Sequence, residues 1–383
     1  MRSHLLSCLR VRRSWVQRRW LNTAHPDCNV PPGVLEKVGR DLHKQSLHPL
    51  GIIKAKIEAF WRRRNEDFQC FDSLDPIVST AANFDSLLIP QDHVSRRPSD
   101  TYYVDGERCL RTHTSAHQVE VLNKGVDSFL LCGDVYRRDE IDRSHYPVFH
   151  QMEGVKIFTH DEVLSTYVIL LLQMKPGSTD LREGLESMAC YLFGDVEMRW
   201  VDAYFPFTEP SAELEILFGG EWLEVLGCGV IHQGVLDNAG RSHQIGWAFG
   251  LGLERLAMVL FSVPDIRLFW SQDPRFLSQF QVRELVTFKP YSRYPPCHKD
   301  VTFWIPDGFH ENDLCEAARE LAGDLIEEIS LRDTFTNPKT ERVSCCYRIT
   351  YRSMDRSLTD KEVNDLQEAV RGRIVSELGG ELR

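Results

Sequence analysis

Two short stretches concentrate residue types that could do chemistry together. The first runs Gly133-Asp134-Val135-Tyr136-Arg137-Arg138-Asp139 and resumes, after a brief loop, as Phe149-His150-Gln151-Met152-Glu153. Two facing strands of this composition can bring a guanidinium fork, a flat ring and a carboxylate around one ligand. Arginine suits phosphate oxygens through paired, charge-assisted contacts, and Phe149 offers a face for a base. An exposed hairpin with ordinary cross-strand ion pairs fits the same residues equally well. The second stretch is Gly250-Leu251-Gly252-Leu253-Glu254-Arg255. It is neither a dinucleotide fingerprint, which needs G-x-G-x-x-G inside a βαβ unit, nor a Walker loop, which needs a following Gly-Lys-Ser/Thr. Its glycines permit close backbone approach, and a helix starting there would throw Arg255 out of the sheet. A glycine-rich turn before a core helix is the plainer alternative.

Elements must hold these stretches in place. Leu50 to Phe60 has the pattern of an amphipathic helix, and Ile89 to Asp100, with its prolines and arginines, that of an exposed loop. Leu130–Asp139 and Pro147–Phe158 are β-rich runs expected to form an antiparallel hairpin. Thr159 and Glu162 form a capping box that opens a helix carrying Val163, Tyr167, Leu170 and Leu171, and a further helix is expected over Asp180–Phe193. Strands resume at Glu197–Phe207, Glu213–Phe218 and Trp222–Val230, the last two joined by Gly219-Gly220, and a helix begins near Gly252. This order predicts an α+β fold: an antiparallel sheet with flanking helices. A second unit then reads β-α-β-β-α: a strand at Asp300–Ile305, a helix repeating Leu314, Ala318, Leu321, Leu325 and Ile329, strands at Leu331–Thr336 and Val343–Tyr351, and a helix capped by Thr359 and Glu362. That is the order of a ferredoxin-like sandwich.

A length of 383 residues accommodates two such units, and 42% apolar with 26% charged residues excludes a disordered or fibrous chain. The longest apolar run, Tyr167–Leu172, is far below the ~20 residues of a membrane span. Net charge is −11, yet residues 1–26 carry six arginines and no acid. An Arg- and Ser-bearing, acid-free leader has the composition of a mitochondrial transit peptide, with a basic nucleic-acid-binding arm as the alternative. The 11 cysteines include no C-x-x-C pair, so free thiols are expected and zinc is not. The expected divisions are a transit peptide at 1–26, an N-terminal region at 27–100, a catalytic sheet domain at 101–270 with its core starting near 45, a linker at 271–290 and the ferredoxin-like unit at 291–383.

The hairpin and the glycine-marked helix start together resemble motifs 2 and 3 of class II aminoacyl-tRNA synthetases. Leu110-Arg111-Thr112-His113-Thr114-Ser115, Tyr204-Phe205-Pro206-Phe207-Thr208-Glu209-Pro210-Ser211, Trp222-Leu223-Glu224-Val225-Leu226-Gly227-Cys228-Gly229 and Gly246-Trp247-Ala248-Phe249-Gly250 narrow the resemblance to the phenylalanyl-tRNA synthetase catalytic chain, across roughly residues 45–285. The C-terminal unit resembles the ferredoxin-fold anticodon-binding domain of the single-chain mitochondrial form.

The resemblance implies an ATP-dependent ligase that adenylates phenylalanine and transfers it to the terminal adenosine, at the 2′-hydroxyl, of mitochondrial tRNA(Phe). It implies a monomer in the mitochondrial matrix, without a membrane partner, using ATP as substrate with Mg²⁺. Carried onto this sequence, Arg137 holds the α-phosphate and the substrate carboxylate, and Arg255 the γ-phosphate and one face of adenine. Phe149 stacks on the other face, His145 reaches the outer phosphates, and Glu224, with Glu209 as the weaker candidate, holds Mg²⁺. His113, Ser115, Gln151 and Glu153 surround the amino-acid ammonium, Phe205 and Phe207 meet its ring edge-on, and Ala248 keeps the end of the pocket open. Ordinary core packing is the alternative for the Phe205-Pro206-Phe207 strand.

No segment resembles the family's editing domain, and an apolar pocket rejects an added hydroxyl by only about 10²-fold. Tyrosine activation without hydrolysis of Tyr-tRNA is therefore expected. For tRNA contact the residues offered are Lys339, Arg342, Arg348, Arg352 and Arg356, a basic cluster in a unit with 13 basic and 18 acidic residues, plus Tyr347 and Tyr351 on one sheet face. A solvated sheet face with core tyrosines is the alternative. Two other functions are compatible with such a scaffold: a different adenylate-forming ligase, and an RNA-binding protein without catalysis.

Overall fold

The computed structural model describes residues 25–65, 67–158, 180–280, 284–290 and 294–383. The expected leader and the helix capped at Thr159 lie outside the described residues. Helix α1 (Pro49–Arg64) starts on a proline, with the His48 imidazole accepting the Leu50 N–H, and buries Ile53, Ile57 and Trp61 at helical spacing. These side chains join the main core, so the N-terminal region is part of the catalytic body.

The strands that follow are β1 (Gln69–Phe71), β2 (Ile77–Ser79), β3 (Arg108–Leu110), β4 (Ser128–Tyr136) and β5 (Val148–Ile157). After helix α2 (Asp180–Phe193) come β6 (Met198–Phe205), β7 (Thr208–Phe218), β8 (Glu221–Ile231), β9 (Gly246–Gly252) and helix α3 (Leu253–Leu260). Seven strands form one sheet in the order β1-β4-β5-β9-β8-β7-β6. All pairings are antiparallel except β1 with β4, which is parallel, so the sheet is mixed at one edge.

Strand β9 has no clear signature in the sequence because Gly246, Gly250 and Gly252 interrupt its alternation. Packing explains it. Phe249 of β9 lies over β5 so closely that a Cβ at Gly154 would come within 2.2 Å of its ring. The same ring stacks on Trp61 of α1 at 5.1 Å. Helices α1, α2 and α3 thus cover one face of the sheet, burying Met188, Leu214, Leu226, Trp247 and Leu256 in one cluster. The opposite face carries Gln151 and Glu153 of β5 and, further along the same strands, a second buried cluster that includes Phe129, Leu131, Val155 and Ile157.

The C-terminal unit contains β10 (Cys297–Trp304), α4 (Glu311–Ala322), β11 (Ile326–Thr336), β12 (Val343–Tyr351), α5 (Asp360–Ser376) and β13 (Glu381–Leu382), with sheet order β11-β12-β10-β13. The short β13 completes the ferredoxin-like pattern. Helix α4 stops earlier than its apolar periodicity suggests, because Gly323 at φ 54° breaks it and passes Leu325 and Ile329 to a 3₁₀ turn and β11. The Thr359–Glu362 capping box is present. The stretch 271–290 is more than a linker, since Phe276, Phe280 and Phe288 pack into the catalytic core.

The two units are docked. Ile141, from the loop between β4 and β5, sits in the C-terminal core, and its carbonyl accepts the Ile329 N–H. Arg319 donates to the carbonyls of Asp139 and Glu140, and Arg143 pairs with the buried Glu327 at 2.6 Å. The described cysteines are free thiols, and no described helix is long and apolar enough to cross a membrane.

Candidate active site

Register puts the site on the face opposite α1, α2 and α3. Gln151 of β5 lies between Gly133 and Gly252, and Glu153 between Leu131 and Gly250. Gly250 in turn faces Gly227, and Gly227 faces Glu213. Cross-strand partners share a face, so Gly250 of β9 and Gly227 of β8 form a floor between Glu153 and Glu213. Among the described residues, a Cβ at Gly250 or Gly252 would meet nothing within 4 Å, which leaves open volume above the sheet. A Cβ at Gly227 would stand 2.8 Å from the Phe205 ring. Gly133 is closed for a different reason, being packed against the Arg111 guanidinium at 2.2 Å from such a Cβ.

One end of this trough is an acid in a dry setting. Glu153 is buried, and its Oε2 accepts hydrogen bonds from Ser115 at 2.5 Å and Thr114 at 3.3 Å. Its Oε1 has no partner among the described residues. Burial pushes its pKa up to about 7, against the two hydroxyls that favour the anion. His113 is nearby with both ring nitrogens unpartnered among the described residues, and burial, with the charge of Arg137, lowers its pKa to about 3. Its ring lies 6.1 Å from that of Phe207, which stacks with Phe205 at 6.0 Å. Ala248 is buried, and Gln151 half-buried. Unpaired buried acceptors next to aromatic rings suit a small cation with an apolar tail.

The other end is positive. Arg137 is half-buried, its Nε–H donating to the Thr112 carbonyl at 2.9 Å and its guanidinium 5.2 Å from the Phe149 ring centre. Burial lowers its pKa, opposed by the charge of Asp139, which also raises that of His145. Asp142 organises the loop: its Oδ1 accepts the Ser144 and His145 N–H groups, and its Oδ2 bonds His145 Nδ1 at 2.7 Å. Burial would raise the Asp142 carboxyl, but these donors hold it well below the usual range. The bond to Asp142 raises the His145 pKa against burial and the positive charge of Arg255. Arg255 therefore stands within electrostatic reach of the loop, and Arg137 within reach of His113.

Glu224 reaches this face through an irregularity. Strict alternation would place it opposite in sense to Gly227, but the register slips at Val225, so that Glu224 pairs with Glu215 and turns onto the trough side. Its carboxylate is 3.8 Å from Arg255, both half-exposed. Glu213 shares the patch, and burial together with Glu224 and Glu215 raises its pKa. Glu209 is not brought there. It is highly exposed at the start of β7, 4.0 Å from His232. The described residues contain no ready-made group of three metal ligands. A half-exposed carboxylate such as Glu224 still fits Mg²⁺, which takes one or two protein oxygens and completes its shell with phosphate and water.

The match to known proteins spans both units. Residues 34–280 fit the family model for the tRNA synthetase class II core domain (F), and residues 292–383 that for the ferredoxin-fold anticodon-binding domain. The phenylalanine–tRNA ligase, chloroplastic/mitochondrial, of Arabidopsis thaliana is 56% identical over 360 residues, 94% of this chain and 83% of the relative. The chain belongs to the phenylalanine–tRNA ligase family of class II synthetases. The mitochondrial phenylalanine–tRNA ligase of Mus musculus is 48% identical over 93% of this chain and 86% of the relative. A phenylalanine–tRNA ligase alpha subunit from Hamiltonella defensa aligns over 63% of this chain and 70% of the relative at 39% identity. Family membership accounts for the mixed catalytic sheet and its ferredoxin-fold partner together.

The C-terminal residues offered for RNA contact fare unevenly. Tyr347 and Tyr351 do share a sheet face, but it is the face under α4 and α5, where both are buried in the core. Arg348 is forked onto Asp300, Arg356 onto Glu362, and Arg352 bonds Glu327 of the docking interface. Lys339 lies in the β11–β12 turn. Arg342 pairs with Glu381 at 2.6 Å and also covers Trp304, 5.2 Å from the ring centre. Residues that the sequence reading missed complete that cluster: Arg383 lies over both Trp304 and the exposed Phe335, at 5.3 and 4.6 Å. A cavity of about 340 Å³, lined by Thr302, Asp333, Ser344, Cys346 and Arg383, opens on the same face. Parity in β10 and β11, taken together with an uncovered sheet face, was the signal for it.

Proposed function

We propose that the chain adenylates phenylalanine with ATP and transfers it to the terminal adenosine of mitochondrial tRNA(Phe), acting as a monomer in the mitochondrial matrix. The observation that carries this reading is the trough itself. An unpartnered carboxylate oxygen of Glu153 lies at one end and Arg137 at the other, with stacked Phe205 and Phe207 alongside. The ammonium group docks among Glu153, Ser115, Gln151 and His113, and the side chain on the two rings and Ala248. Arg137 then holds the substrate carboxylate against the α-phosphate.

A carboxylate oxygen attacks the α-phosphorus, a P–O bond forms, and the bond to the bridging oxygen breaks to release pyrophosphate. In the second step the tRNA hydroxyl attacks the activated carbonyl, and AMP leaves. The protein's work is positioning and charge neutralisation, as in other phosphoryl displacements. Arg255 and His145 serve the outer phosphates and Phe149 the adenine. Mg²⁺, held through Glu224, would neutralise phosphate charge. Pyrophosphate exchange over a panel of amino acids tests the reading. Phenylalanine-dependent exchange supports it, exchange dependent on another acid selects a different ligase, and silence selects a non-catalytic RNA binder.

A pH signature follows from Glu153. A carboxylate whose pKa is about 7 is half ionised at that pH and largely neutral a unit below, and only the anion attracts an ammonium. The KM for phenylalanine is expected to rise about fivefold from pH 7 to pH 6 and about tenfold per unit below. Glu153→Gln should bind weakly at every pH. A flat profile for the native enzyme would remove Glu153 from ammonium binding.

Trp304, Phe335, Arg342 and Arg383 are proposed as the surface where unpaired anticodon bases stack, in place of Tyr347 and Tyr351. Trp304→Ala should raise the KM for tRNA about tenfold, the loss of one stacked base, and leave exchange without tRNA unchanged. An unchanged KM for tRNA would place the anticodon elsewhere.

A further inference from the structure

The proposed nucleotide slot has walls on two different elements, and one buried contact joins them. Strand β5 pairs with β9 as far as Gln151 opposite Gly252, where β9 ends and the chain turns into α3. His150, one residue beyond, faces a helix where a strand would otherwise continue. Glu254, in the first turn of α3, takes the vacant partner's place. Its Oε2 accepts the His150 backbone N–H and its Oε1 bonds Nδ1, both at 2.7 Å. The two side chains are 1% and 2% exposed. A carboxylate only accepts, so Nδ1 carries the proton, and Nε2 is left without a partner among the described residues. Trp270 stacks on the imidazole at 5.8 Å and fixes its plane.

What matters is the next residue on each side. Phe149 precedes His150, and Arg255 follows Glu254. Among the described residues, the only ion pair at the Arg255 guanidinium is the half-exposed contact with Glu224 at 3.8 Å, too weak to set where the arginine stands. We propose that Glu254 and His150 are positioning residues that set the separation of Phe149 and Arg255, and with it the grip on ATP. The inference rests on the adenylation reading above and goes beyond it. It predicts an effect on ATP that spares phenylalanine, whose pocket lies further along β5 at Gln151 and Glu153.

Two substitutions separate length from charge. Glu254→Gln keeps the reach: its amide oxygen can accept the His150 N–H while its nitrogen donates to Nδ1, and the ring proton moves to Nε2. Glu254→Asp keeps the charge but is shorter by one methylene, about 1.5 Å, and cannot span both contacts. In exchange assays with the full chain, Glu254→Asp should raise the KM for ATP about tenfold with the KM for phenylalanine within about twofold, and Glu254→Gln should recover most of the loss. Calorimetric binding of a non-hydrolysable ATP analogue should show the same order, and it tests the latch even if exchange with phenylalanine fails and the functional reading with it. A melting point lowered by Glu254→Asp without a change in ATP affinity would reduce the contact to a purely structural one. Equal rises in both KM values, or Gln as damaging as Asp, would also overturn the proposal.

Discussion

Arg137→Ala is expected to lower phenylalanine-dependent pyrophosphate exchange by about 10²–10³-fold at saturating substrates, the usual loss when one transition-state donor is removed from a dry site. The side chain donates to the Thr112 carbonyl through Nε, and the rest of its fork has no hydrogen-bond partner among the described residues. It is half-buried beside the Phe149 ring, where field strength exceeds that in water. Arg137→Lys keeps the charge but loses the planar, two-pronged contact, so it should restore only a small part of the rate. Melting temperature should change little, because truncation removes one hydrogen bond to Thr112 and one packing partner of the Phe149 ring. Steady-state exchange and thermal melts of the three proteins decide the matter. If Arg137→Ala loses stability and activity in parallel, the arginine is structural.

The second large effect comes from filling empty space. Gly250→Leu should abolish detectable exchange, a loss of at least about 10²-fold, while the protein folds normally. None of the described residues stands within 4 Å of a Cβ there, and the backbone needs no special dihedral, so the strand accepts a side chain. The leucine would then occupy the volume above the glycine floor, between Glu153 and Gly227, where the amino acid is proposed to lie. Gly154→Ala, on the covered face of β5, makes the control. Its Cβ would meet the Phe249 ring at 2.2 Å, so it should destabilise by about 1–3 kcal/mol through overpacking. One glycine is kept for a ligand and the other for a core. Normal exchange in Gly250→Leu would move the substrate out of the trough.

Much of this arrangement is legible in the chain's local patterns. The β4–β5 hairpin, Asp180–Phe193, Val343–Tyr351 and the Thr359 capping box all carry local signals, namely alternation, helical spacing or a cap. What stays hidden depends on partners distant in the chain. Strand β9 has three glycines because Gly250 and Gly252 border open volume and Gly246 packs on β5, and none of this registers as β-propensity. The short parallel strand β1 is defined only by its ladder to β4. Glu224 reaches the trough through a register slip at Val225 that no alternation rule anticipates. Tyr347 and Tyr351 have the parity required of a stacking surface, but parity does not tell which face the helices cover. Arg348 and Arg356 look available in sequence and are held by Asp300 and Glu362 in space. The family resemblance suggests the roles of Arg137 and Arg255, and the fold sets Arg137 beside the Phe149 ring and Arg255 beside Glu224.

A structure of the enzyme with phenylalanine and a non-hydrolysable ATP analogue tests this placement of the substrates most directly. The predicted result has Arg137 on the α-phosphate, Arg255 on the γ-phosphate and adenine against Phe149, with the ammonium on Glu153. A nucleotide bound away from both arginines, or an amino group that does not approach Glu153, would contradict it.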